Sequence, residues 1–310
     1  MEIALWILLA ILVFGILPTF MMSFFIYRAL LLRTSKDIWD RDPSMPDDEE
    51  YVGLYKQATE WGKQWSAFKK DVEIKNEGLR LYGEYFDFGS DRAVIILPGR
   101  MEACTYSYHY GEPYRKAGWN VLTIDNRAHG RSDGKVNSLG YKEYRDVIAW
   151  AKLLHDEYGI RSVVLHGICI GASCALFAAA SKNCPDYIAG IVGDGMYQCF
   201  YDSCKNHMVK DKRPIYPFLM ETMLWIRLIS GANAVTDGPK KRIYDMHKPI
   251  LFIHSREDLF STPEKVQQLY DRCPSEHKKL VWFDRGGHSR VRYNNPELYD
   301  QTVSDFLATL

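Results

Sequence analysis

Hydrophobic and polar positions follow three successive regimes along this chain. The first is residues 3–27, "IALWILLAILVFGILPTFMMSFFIY", a run without a charged side chain. About 20 apolar residues cross the hydrocarbon core of a bilayer, so this run predicts a transmembrane anchor with some tilt. A cleaved signal peptide is the rival, but it wants a basic start and a small-x-small cleavage site. Here Glu2 precedes the run, and bulky Phe20 and Met21 follow Pro18. Residues 28–50 form the second regime. Their end, "DIWDRDPSMPDDEE", is acidic and holds two prolines, which predicts a linker. Then Tyr51, Leu54, Tyr55, Ala58, Trp61, Trp65 and Phe68 recur at three- and four-residue spacing. That period predicts an amphipathic helix over 51–70, packed on the body rather than on lipid headgroups.

Residues 71–310 make up the third regime. "DVEIKN" and "RLYGEYFDFG" alternate apolar and polar residues around "EGL", as a hairpin with one wet face does. Continuous apolar runs follow at 93–97, 120–125, 162–167, 188–194, 249–254 and 279–284, a pattern expected of strands covered on both faces. Helical patterns at 139–158 and 171–182 separate some of these runs, and another at 296–309 closes the chain. Two antiparallel strands and six strands joined by crossovers predict an eight-stranded, mostly parallel α/β sheet. The gap at about 195–248 is too long for a simple crossover and is rich in Met, Tyr, Phe and Trp. It is expected to be a helical cap over the strand ends.

Composition changes this picture little. Of 310 residues, 47% are hydrophobic and formal charge sums to zero, so no nucleic-acid partner is expected. Charge placement is more informative. Arg28, Arg33 and Lys36 follow the apolar run and no cation precedes it, which places the body on the cytoplasmic side. Seven cysteines without tight paired spacing agree with free thiols in a reducing compartment.

The candidate chemistry begins at "GICIG", Gly167 to Gly171, where a strand runs directly into a helix. Such a turn forces its central residue into a strained conformation and presents that side chain, here Cys169, at the strand ends. The bland alternative is a buried structural cysteine. A nucleophile needs a base, and the base needs an orienting acid. His288, after the last strand and a Gly-Gly turn, is the candidate base; His129, His166 and His254 are expected to be structural. Asp258 is the first-ranked acid, Asp194 the alternative, and Glu257 an adjacent competitor. Capping of the helix that begins at "STPEK" is expected from Ser261 or Thr262, which leaves Asp258 free for another task. Backbone N–H groups of Arg100 and Ile170 are the candidate oxyanion donors, with Gly99 allowing close approach. The Arg100 side chain and Glu102 are read as a scaffolding pair.

Several segments, in order, resemble the α/β-hydrolase superfamily over about residues 70–310. "LPGRMEACTYSYHY", "TIDNRAHGRSDG", "PILFIHSREDLFSTP" and "GGHSRVRYNNPELYDQTVSDFL" are similar to segments of bacterial lysophospholipases and monoacylglycerol lipases. Cys169 departs from them, since those relatives carry serine there. Dienelactone hydrolases and polyhydroxyalkanoate synthases carry cysteine at that position. The resemblance implies a membrane-anchored, lipase-like hydrolase of esters or thioesters, possessing a Cys169–His288–Asp258 triad and acting on a small-molecule or lipid ester. Two alternatives stay open: an acyltransferase of the polyester-synthase type, and a non-catalytic membrane-tethered binding protein. No metal-ligand spacing or phosphate loop occurs, so neither metal nor cofactor is expected.

Overall fold

The computed structural model describes residues 2–36, 39, 40, 45 and 47–310. Much of the expected linker therefore lies outside the described residues. Eight strands form one sheet: β1 (Lys69–Asn76), β2 (Leu79–Phe86), β3 (Arg92–Leu97), β4 (Asn120–Ile124), β5 (Ser162–Ile168), β6 (Ile188–Asp194), β7 (Ile250–Ser255) and β8 (Lys278–Phe283). Their order is β1-β2-β4-β3-β5-β6-β7-β8. β1 pairs with β2, and β2 with β4, antiparallel; every other pairing is parallel.

The longer helices are α1 (Glu2–Leu31, with a π turn at Leu12–Ile16), α2 (Glu49–Gln64), α3 (Glu143–Tyr158), α4 (Ile170–Ala179), α5 (Phe200–Lys210), α6 (Phe218–Ser230), α7 (Pro263–Arg272) and α8 (Pro296–Leu307). α5 and α6 lie in the long segment between β6 and β7.

Two apolar layers explain why the central strands read as unbroken hydrophobic runs. On β3, Ala93, Ile95 and Leu97 enter one core while Val94 and Ile96 enter the other. β5 divides likewise, Val163 and Leu165 against Val164 and Ile168. α3 covers the first face with Val147, Trp150 and Leu154, and α8 covers the second with Tyr299, Val303 and Phe306. Each of these is buried, and burial of one large apolar side chain contributes about 1.5–3 kcal/mol.

α2 begins at Asp48, whose carboxylate accepts the Tyr51 N–H at 2.9 Å, the usual cap for an unpaired helical amide. Its buried stripe of Tyr51, Leu54, Ala58 and Trp61 packs on the body, with Trp61 against Phe86 and Tyr108. α1 is long and apolar enough to cross a membrane. The helix continues past the apolar run to Leu31, so residues 28–31 are not linker. The next residues are also docked: Leu32 bridges to Val136, and the Arg33 N–H donates to the Lys135 carbonyl at 2.7 Å. These backbone contacts, an isolated bridge and a hydrogen bond, hold the segment after the helix against the body.

Because β3 to β8 run parallel, the loops after them emerge at one edge of the sheet. Those loops carry residues 98–102, 125–130, 169, 194–195, 256–261 and 284–289. Edges of this kind are where open α/β sheets place ligand sites.

Candidate active site

Cys169 stands at the joint between β5 and α4 with φ 54° and ψ −110°, a left-handed region that side chains rarely occupy. Both flanking glycines are required by contact. A Cβ on Gly167 would lie 2.2 Å from the Gly171 carbonyl carbon, and one on Gly171 would lie 2.1 Å from the Leu97 carbonyl oxygen. The elbow is thus wedged directly against the end of β3. Cys169 is half-buried, and no disulfide occurs among the described residues.

His288 faces this thiol. Both side chains line one cavity, and the His288 Nδ1 donates to Asp258 Oδ2 at 2.7 Å. Burial pulls the imidazole pKa down, yet the Asp258 carboxylate and Cys169 outweigh it and raise the pKa well above the ordinary 6.5. Asp258 is itself buried, which opposes ionisation. The His288 charge and hydrogen bond, His254 and the Ser261 N–H nevertheless hold its pKa below 3.8. Asp258 Oδ1 accepts the Phe260 and Ser261 N–H groups at 2.8 and 2.9 Å. Asp258 therefore has a local structural task as well. Thr262 occupies the N-cap of α7 without a side-chain cap bond, and the Ser261 hydroxyl donates to the Gly195 carbonyl instead.

Asp194 points elsewhere. Its Oδ2 accepts the Tyr299 hydroxyl at 2.8 Å, and burial raises its pKa to about 7. His166 bridges Tyr114 and Tyr299, each at 3.0 Å, within the second core layer. Glu257 accepts the Gly286 N–H, one turn away from His288.

Residues 99–102 form a loop fastened on both sides of Arg100. Glu102 Oε2 accepts the Gly99 N–H at 2.8 Å, and His129 Nε2 accepts the Met101 N–H at 3.3 Å. Burial lowers the His129 pKa to about 4, so the ring is neutral near pH 7; Nδ1–H donates to the Arg127 carbonyl while Nε2 accepts. Met101 has φ 72°, a conformation this double anchorage maintains. Ile170 is the first residue of α4, where no intrahelical partner exists for its N–H. The expected Arg100–Glu102 pair does not form. Arg100 reaches Leu30 O at 3.5 Å and Met101 Sδ at 2.9 Å, because α1 lies beside it, while Glu102 turns inward to the backbone.

One cavity of about 630 Å³ gathers Cys169, His288, Arg100 and Ile170 along its wall. The segment between β6 and β7 adds apolar Phe200, Met208 and Leu219 together with polar and charged side chains, among them His207, Lys210, Asp211 and Arg213. Ile26 and Leu30 of α1 also line it, a contribution no local sequence pattern announces. His207 stacks on Phe260 at 3.5 Å, and Phe260 meets His288 edge-on at 5.7 Å, so aromatic rings shield the imidazole. Among the described residues, no group of three or more His, Cys, Asp or Glu side chains is arranged to hold a metal ion.

Sheet order, an elbow after β5 and a histidine after β8 define the α/β-hydrolase fold class. Comparison with known proteins agrees. The family model for the alpha/beta hydrolase fold matches residues 92–224. YqkD, an uncharacterised protein of Bacillus subtilis, is 30% identical over 216 residues, 69% of this chain and 70% of that protein. An uncharacterised membrane protein of Saccharomyces cerevisiae, YNL320W, is 23% identical over 194 residues, 63% of this chain and 62% of its own. Among solved structures, the Pyrococcus furiosus esterase Pf2001 superposes with a TM-score of 0.68 at 30% identity, covering 80% of this chain and 93% of that one. This chain belongs to the α/β-hydrolase family.

Proposed function

We propose that the protein is a membrane-anchored hydrolase of carboxylic esters or thioesters that works through a cysteine nucleophile. The observation carrying this reading is Cys169 at a strained elbow on the same cavity wall as His288, whose Nδ1 is hydrogen-bonded to Asp258. His288 takes the thiol proton, and the Cys169 sulfur attacks the substrate carbonyl carbon. The resulting oxyanion lies against the Arg100 and Ile170 N–H groups. One such donor, held in place beforehand, lowers a barrier by about 3 kcal/mol. Collapse of the adduct breaks the C–O (or C–S) bond, and His288 returns its proton to the leaving alcohol or thiol. A water, deprotonated by His288, then cleaves the Cys169 thioester and releases the acid. Asp258 fixes the imidazole tautomer throughout.

The esterase activity of the Pyrococcus furiosus relative favours this reaction class. Residues 195–248 serve as the cap, residues 71–310 as the hydrolase domain, and α1 as a single-pass anchor with the body on the cytoplasmic side. The apolar residues of the lining, Ile26, Leu30, Phe200, Met208 and Leu219, favour an acyl chain, in keeping with the resemblance to lysophospholipases and monoacylglycerol lipases.

The test is turnover of p-nitrophenyl esters of graded chain length by the full-length protein in detergent. Cys169→Ala is expected to lose about 10³-fold or more in kcat, while Cys169→Ser retains a measurable fraction. Wild-type protein that neither turns over these esters nor reacts with iodoacetamide at Cys169 would overturn the proposal. Turnover only when an alcohol or thiol acceptor is added would reassign the chemistry to acyl transfer.

A further inference from the structure

α6 has two dissimilar faces. Leu219, Met223 and Ile226 are buried, whereas Met220, Leu224 and Leu228 recur at four-residue spacing on the opposite side and are exposed, Leu224 by 46% and Leu228 by 63%. An apolar stripe in open water is costly, so its surroundings matter.

Those surroundings are supplied by α1. Phe20 and Trp225 stack at 4.4 Å, and the Trp225 Nε1–H donates to the Phe20 carbonyl at 3.0 Å. Phe24 meets the same indole at 5.0 Å, and the Thr19 hydroxyl donates to Glu221 Oε1 at 2.8 Å. Residues 221–225 are thereby fixed alongside residues 19–24, the last part of the apolar run. At this level Met21, Met22 and Phe25 are also exposed, so the two helices present one continuous apolar surface. Arg28, Arg227 and Lys212 are exposed cations on or beside these helices, whereas Arg213 pairs with Asp211. The Glu221 carboxylate beside Thr19 sets the depth at the headgroup boundary rather than in the hydrocarbon centre.

We infer that the outer face of α6 is a second membrane contact, immersed in the interfacial layer of the bilayer that α1 crosses. Leu224 and Leu228 enter the acyl-chain boundary and the bordering cations meet anionic phospholipid headgroups. Ile26 and Leu30, which wall the cavity, follow directly on this level of α1. The cavity therefore receives its acyl ester from the bilayer and not from water. The contact depends on α1 as a span; its consequence for substrate rests also on the ester-hydrolase reading.

The experiment uses full-length protein in vesicles of phosphatidylcholine and phosphatidylglycerol, doped with a phosphatidylcholine bearing a diazirine in its acyl chain. After irradiation, mass spectrometry is expected to find lipid adducts within residues 218–230 as well as within 3–27. In Leu224→Glu/Leu228→Glu, whose substitutions are both at the surface, the first set falls at least tenfold and the second persists. Adducts confined to 3–27, or cross-links from α6 to another copy of the chain, overturn the inference. A parallel assay addresses substrate. The double variant is expected to lose at least tenfold in turnover of an ester dissolved in the bilayer and less than twofold with a water-soluble short-chain ester. Equal effects on both esters overturn the consequence. Failure of wild type to cleave either ester refutes the hydrolase reading and leaves the adduct result to decide the contact.

Discussion

Asp258 and Asp194 show how two buried acids at neighbouring strand ends acquire different tasks. Asp258 faces a cation and two backbone N–H groups; Asp194 faces a single hydroxyl. Asp258→Asn is expected to lower kcat by about 10²-fold or more, because the amide cannot hold the same imidazole tautomer. Asp194→Asn should leave kcat within a few-fold at neutral pH. Its signature is in stability. The Asp194 pKa rises on folding from 3.8 to about 7, so the folded state binds the extra proton between these values. Wild-type stability therefore falls as pH rises from about 4 to about 7, and the asparagine variant should lack that part of the fall. Thermal melts across this range check both the sign and the window. His129 acts on Met101 rather than on substrate, so His129→Ala should reduce kcat about tenfold with KM little changed. The sequence could nominate Cys169, His288 and Asp258 because each follows a strand in a telling order. It could not show that Asp258 also braces residues 260–261, or that His129 holds Met101. The first is a turn within one loop, whose donors composition does not specify; the second joins two loops brought together by the pairing of β3 with β4.

The elements themselves were largely legible. All eight strands lie where apolar runs or alternation placed them, although β8, expected to be covered on both faces, is an edge strand in which only Phe283 is buried. Boundaries were less so. α3 begins at Glu143 rather than near 139, because Glu143 accepts from the Ser138 and Gly140 N–H groups and ends the preceding turn. The elbow supplies the sharpest test at this scale. Gly171→Ala would drive a methyl into the Leu97 carbonyl, a backbone atom that cannot step aside. It is expected to cost roughly 3 kcal/mol or more, measured by denaturant unfolding, or to prevent folding. Asp48→Ala removes both the α2 cap and the 2.8 Å ion pair with Arg290, two residues after His288. A loss of about 1 kcal/mol is expected from the cap.

At the scale of the whole molecule, the apolar N-terminal run was evident from composition, but its partnership with the body was not. Ser23, Tyr27 and Leu31 are buried against residues nearly two hundred positions away or in the sheet core, and no local period reveals such a contact. Deleting residues 2–31 should accordingly do more than remove the proposed anchor. Loss of the fully buried Tyr27 and Leu31 alone removes about 3–6 kcal/mol of apolar burial. It also opens the wall formed by Ile26 and Leu30. The truncated chain is expected to melt several degrees lower and to lose preference among ester chain lengths, as read by calorimetry and by kcat/KM across a substrate series.

The contact between Gly171 and the end of β3 carries a further implication. Because backbone meets backbone there, the amide at the start of α4 and the loop that follows β3 belong to one stiff hinge-free block. Other parts of the cavity wall come from α1 and the helices between β6 and β7, which that backbone contact does not include. Substitution in those helices can retune which molecules enter while the spacing of the Arg100 and Ile170 amides, the proposed oxyanion donors, stays constant.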